Sequence, residues 1–254
     1  MSDNDFKIGY SLTPFEAVEI GKIDLIRNGT LIWREPTTKK WETICTNAFL
    51  AILVELNSLA ILGYHLYWKN NEFSQAVQIA TKNAISPRYP REVRTPNLAY
   101  RHGSGFPSWV LEKYTWALWD KFFISKTYKS NVEVFTPFLY NVVQCKFHEI
   151  PCVSRVVDSV IMLFLEIIEV FLFNQLNFVQ GEMFFGYINH RFSWLDPFMF
   201  DYLMDIIDVS CAEYNATKIY FLDDKSPLDI LKKYSMSKNF KVRKVPKTIR
   251  NIFE

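Results

Sequence analysis

Positive charge is where this sequence concentrates its chemistry. An irregular stretch from Ile85 to Pro107 carries Arg88, Arg91, Arg94 and Arg101, preceded by Lys82 and interleaved with Tyr89 and Tyr100, against the single acid Glu92. The carboxyl-terminal tail carries Lys232, Lys233, Lys238, Lys241, Arg243, Lys244, Lys247 and Arg250, with no acid between Ile230 and Asn251. Cationic side chains neutralise phosphates, and aromatic rings beside them stack on unpaired bases. If the two segments fold onto one face, Lys82, Arg88, Tyr89, Arg91, Arg94, Arg101, Lys238, Lys241, Arg243, Lys244 and Lys247 make a surface for RNA or another anionic partner. The competing reading is a solvated loop and a solvated tail, because the formal net charge is only +2.

Three further groups of residues could do chemistry. His102 stands in Arg101-His102-Gly103-Ser104-Gly105. It is either an acid–base group in a pocket or part of a tight, exposed turn whose glycines supply backbone freedom, and the turn is the expectation. Cys145, His148 and Cys152 could surround zinc with Cys45 or Cys211 as the fourth ligand. Structural zinc sites use paired short cysteine spacings, which are absent, so no metal is expected and the thiols read as free, small apolar groups. Asp201, Asp205 and Asp208 share one helical stripe, which reads as a solvated helix face, the alternatives being Mg²⁺ or the contact face of an inhibitor or immunity-type protein. No nucleophile elbow, phosphate-cradling glycine loop or paired-histidine zinc motif occurs. No cofactor is expected, and binding is favoured over catalysis.

Two resemblances bear on these residues. Ser86-Pro87-Arg88-Tyr89-Pro90-Arg91, with Pro96 and Ala99 downstream, is similar to a stretch between helices in the nucleocapsid proteins of phlebovirus-like negative-strand RNA viruses. The resemblance covers residues 86–101 and implies a viral, RNA-binding, helical nucleoprotein. The amino-terminal lobe of that family has no counterpart here, and the carboxyl-terminal strand–helix–strand is foreign to it. His102-Gly103-Ser104 resembles the nicotinamide-binding strand end of ADP-ribosyltransferases, and Ile219-Tyr220-Phe221 is similar to their second motif. That second resemblance implies an enzyme using His102, with only Glu254 left to serve as the catalytic glutamate.

The elements that must position these groups follow from periodicity. Asn28-Gly29 between two alternating runs, Ile23–Arg27 and Thr30–Trp33, predicts a β-hairpin. Thr43–Trp68 holds one formal charge, Glu55, and its Asn47, Glu55, Ser58 and His65 form a narrow stripe on a helical projection. It therefore reads as a buried helix of a water-soluble bundle rather than a membrane span. Val157–Val179 repeats that design with Asp158, Glu166 and Glu169. Further helices are predicted at 72–84, 108–127, 137–145, 152–180 and 196–214. The end reads as a strand at Lys218–Leu222, a turn at Asp223-Asp224, a helix capped by Ser226-Pro227, and a strand at Phe240–Val245.

The composition fits that reading. Hydrophobic residues make up 49% of 254 residues and charged residues 22%, enough to bury a core and too apolar for disorder. Aromatics at 17% and only 8 Gly favour packed helices over a turn-rich β architecture. The expected fold class is mainly α with a small β element (α+β). One domain spans 1–254, with a hairpin region at 1–40, a helical body at 41–214, and a strand–helix–strand with the basic tail at 215–254. Scattered cysteines and the absence of a secretory signal at the amino terminus suggest a cytoplasmic protein.

Overall fold

Every side chain from Ala48 to Val54 is buried. Such a run has no helical or alternating period because both of its faces are covered, as happens to the central strands of a sheet packed between helices. A computed structural model describes residues 13–34, 37–69, 72–95, 97–127, 136–179 and 198–253. In it, strand β1 (Ala17–Arg34) pairs antiparallel with β2 (Trp41–Glu55), and β2 pairs antiparallel with β3 (Ile61–Tyr67). The predicted helix at Thr43–Trp68 is thus two strands and a turn, and the mainly α fold class is overturned by a mixed α/β sheet.

Asn28-Gly29 is not a hairpin turn. β1 continues through it, with register irregularities between Asp24 and Ile26 and between Ile26 and Gly29. The real reversal comes after Arg34, since the long apolar run of β2 offers more pairing than a two-residue turn inside β1. The β2–β3 turn is organised by Glu55, whose fully buried carboxylate accepts from the backbone N–H groups of Phe15 (2.9 Å), Asn57 (3.1 Å) and Ser58.

Helix α1 (Phe73–Ile85) follows, close to its predicted place, and buries Phe73, Ala76, Val77 and Ala80 against the sheet. The expected helix at 108–127 is instead a single turn, α2 (Pro107–Val110), then strands β4 (Ala117–Leu118) and β5 (Lys121–Ser125). β5 lies parallel to β1. Short helix α3 (Thr136–Phe138) runs into a π-helical turn at Leu139–Val143 before β6 (Lys146–Ile150), which is parallel to β5. The strand order is β3-β2-β1-β5-β6, with short β7 (Phe198–Met199) added to β1.

Alternating residues of β1 and β2 divide the interior into two layers. Ala17, Leu50, Ile52 and Val54 pack under helices α4 (Arg155–Val179) and α5 (Phe200–Ala216). Val18, Ile20, Ala51 and Leu53 pack under α1 and the tail residues Val245 and Phe253. Helix α6 (Pro227–Ser235) begins on the predicted Ser226 cap, with Ser226 and Asp229 forming a reciprocal capping box. The flanking strands fail: Ile219 makes only an isolated bridge to Lys225, Tyr220–Leu222 is a 3₁₀ turn, and only Arg243–Lys244 (β8) pairs, with β4. Among the described residues the tail therefore makes no pairing with the amino-terminal strands. No helix among the described residues is long and apolar enough to cross a membrane.

Candidate functional site

The loop between α1 and α2 is held down along α5, and its arginines are the means. Arg88 lies against Asp208 while its guanidinium stacks 3.9 Å from the centre of the Phe106 ring and 4.6 Å from that of Tyr64. Asp208 also accepts from Tyr64 Oη (2.6 Å) and Tyr100 Oη (2.5 Å). Asp205 accepts from the backbone N–H groups of Arg94 (2.8 Å) and Thr95 (3.1 Å), and Arg91 stands 3.8 Å away. A buried carboxylate is tolerated when its oxygens meet donors or a cation, and both aspartates meet that condition.

These contacts correct two expectations. Asp205 and Asp208 do not form a solvated acidic face, being 2% and 0% exposed, so they offer no contact surface to a protein partner and no open position to Mg²⁺. The side chain of Asp201 lies outside the described residues. Arg88 and Tyr100 are committed inward, whereas Tyr89 is 78% exposed and Arg94 is exposed. Lys82 sits half-buried in the last turn of α1.

The tail uses its charges differently. Arg243 donates to Asp120 (2.6 Å) and to the carbonyls of Trp119 and Val143. Lys244 donates to the carbonyls of Lys113 and Thr115. Lys238, Lys241 and Lys247 stay exposed. The loop packs with the α4 and α5 layer and the tail with the α1 layer, so the two basic stretches do not share one continuous face.

They meet at one place. A cavity of about 680 Å³ is lined by Arg101, His102 and Gly103 on one side and by Ala216, Thr217 and Lys218 after α5 on another. Its remaining wall is the start of α6, with Ser226, Leu228, Asp229 and Lys232, closed by Val110 and Leu111. Arg101 and Lys232 thus bring loop and tail region together. Arg101 is fixed by the Ala216 carbonyl (3.0 Å) and Glu213 (3.1 Å) yet remains half exposed. Asp229 is drawn well into its cap: hydrogen bonds from Ser226 hold its carboxyl below the usual range, with Lys218 and Lys232 adding to the effect.

Local chemistry explains the turn. Gly103 takes φ +80°, a conformation that side chains resist, and a β-carbon on Gly105 would meet Val110 at 2.4 Å. Asn215 of α5 donates to the Gly105 carbonyl (3.1 Å) and clamps Ile61 of β3 through both its N–H and C=O (2.8 Å each). No family model matches this chain, and no curated protein matches it. Its site must be read from geometry.

His102 is exposed, as the turn reading expects, and it also lines a cavity, which that reading did not foresee. Neither segment resembling a transferase motif is a strand end: His102 sits in a turn and Tyr220 opens a 3₁₀ turn. The three candidate zinc ligands are dispersed. Cys145 is buried in the α1 layer with its thiol pushed up to about 12 by burial, His148 stacks on Phe123 on the opposite face, and Cys152 is exposed. Among the described residues no cluster of histidine, cysteine or acid could hold a metal ion. Sequence reasoning missed Lys218 as a site residue, and its only signal was proximity in sequence to the end of α5.

Proposed function

We propose that this protein is a binding protein for a phosphate-bearing anionic partner, RNA first among them, engaged at the cleft between the Arg101–Gly103 turn and α6. The observation that carries the reading is the convergence of Arg101, Lys218 and Lys232 on one concavity whose lining contains a single acid, Asp229, already turned to its helix cap. Cations at a concave surface concentrate the field felt by an approaching phosphate, and exposed Lys238, Lys241 and Lys247 add steering on the neighbouring tail. Arg88 and Tyr100 act by holding the loop, not by touching the partner. His102 is the lining side chain best suited to acid–base work, and it stands exposed on the turn, so binding is preferred to catalysis.

Fluorescence anisotropy with a labelled single-stranded RNA tests this. Arg101→Ala together with Lys232→Ala should weaken binding and lower the slope of log K against log salt by about two counterions. An unchanged slope in the double variant would reject the cleft as the phosphate site.

A further inference from the structure

The cleft is larger than a phosphate needs and less polar than a phosphate wants. At about 680 Å³ it falls within the range of roughly 300–1,000 Å³ typical of small-molecule sites. Cations occupy one part of its wall, with Lys218 and Lys232 both near enough to Asp229 to influence its carboxyl. Another part is apolar: Val110 at the end of α2, Leu111 just after it, and Leu228 in the first turn of α6. A helical nucleic-acid backbone presents only phosphates and sugars and is met by open basic surfaces. A concavity combining cations with branched aliphatic side chains suits a ligand that is anionic at one end and flat and apolar at the other.

We propose that the cleft takes a nucleoside monophosphate unit, its phosphate on Lys218, Lys232 and Arg101 and its base against Val110, Leu111 and Leu228. The unit comes either as a free mononucleotide or as the 5′-phosphorylated end of an RNA chain. The proposal rests on the cleft being the anion site argued above and narrows it from a charged surface to a shaped pocket.

Calorimetric titration of the full chain with AMP, adenosine and inorganic phosphate tests it. AMP should bind, while adenosine and inorganic phosphate each bind about ten-fold more weakly or worse, because each lacks one half of the recognised unit. Lys232→Ala removes an exposed side chain of the cleft wall, and should weaken AMP by about ten-fold, the usual effect of one charge-assisted hydrogen bond. Inorganic phosphate binding as tightly as AMP, or AMP affinity unchanged in Lys232→Ala, would overturn the proposal. A pair of RNA decamers differing only in a 5′-phosphate then names the source. Preference for the phosphorylated decamer supports the RNA end, and indifference with AMP still binding supports the free nucleotide. RNA binding without AMP binding would reject the nucleotide pocket and leave the broader reading standing. AMP binding without RNA binding would uphold the nucleotide pocket and remove RNA from the broader reading.

Discussion

The guanidinium of Arg88 and the carboxylate of Asp208 meet across 120 residues of sequence, buried beneath the loop that Arg88 opens and against the helix that carries Asp208. Around them Tyr64 and Tyr100 donate to the same carboxylate, and the Phe106 ring covers the guanidinium. Removing one partner strands a charge in the interior. We expect Asp208→Ala and Arg88→Ala each to cost about 3–5 kcal/mol, and the double variant to cost clearly less than their sum. Urea unfolding of the three variants measures this, and additive losses would show that the pair is not coupled.

Asn215 joins α5 to two segments distant in sequence: β3 through both polar groups of Ile61, and the cleft turn through the Gly105 carbonyl. Asn215→Ala leaves those buried backbone groups without partners, at a cost of about 2–4 kcal/mol. It should also loosen the Arg101–Gly103 wall, seen as faster amide exchange at Gly103 and Ser104 than in the parent. Exchange unaltered there would separate the cleft from the core.

Gly63 lies where β3 passes beneath α1. An added β-carbon would stand 2.5 Å from the Ala80 carbonyl oxygen and 2.8 Å from the Ala84 nitrogen, both backbone atoms that cannot swing aside. Gly63→Ala should therefore destabilise the chain by about 2 kcal/mol or more, through displacement of the helix. A thermal midpoint equal to that of the parent would mean that α1 rests farther from the sheet.

Glu19 is fully buried on β1, with Oε1 accepting from the Ser154 N–H at the start of α4 (2.8 Å) and Oε2 without a hydrogen-bond partner. Burial pushes its carboxyl above the ordinary range, the Ser154 hydrogen bonds opposing and the charge of Asp158 adding. The folded chain thus keeps a proton that the unfolded chain has lost. Stability contributed by this group is present at acid pH and falls as pH rises from the unfolded value of about 4.3 through the raised native one. Glu19→Gln retains an acceptor for Ser154 and carries no charge. It should abolish that part of the pH slope and gain about 1 kcal/mol at pH 7. Equal pH profiles for variant and parent, measured by denaturant titration, would refute this.

Local signals located the local elements. Ser226 followed by Pro227 and Asp229 announces the start of α6, because a cap and its box are written within four residues. The apolar spacing of Phe73, Ala76, Val77 and Ala80 announces α1, because one face of that helix meets the sheet and the other meets water. The paired glycines of Gly103 and Gly105 likewise mark a turn wherever the chain carries it.

What tertiary structure alone decided is everything that depends on being covered from both sides or answered from afar. Thr43–Trp68 shows no strand alternation because β2 is apolar toward α1 and equally apolar toward α4 and α5, so its polar residues fell by accident on a helical stripe. The arginines of the loop look free in sequence since their acids, Asp205, Asp208 and Glu213, lie more than a hundred residues downstream. The order of residues along the chain determined that charge would gather at a loop and a tail. Which charges would be buried against partners, and which would be left facing a cleft, was settled by the packing of α5 against that loop, since a charge pair has no sequence signature until the fold closes the distance.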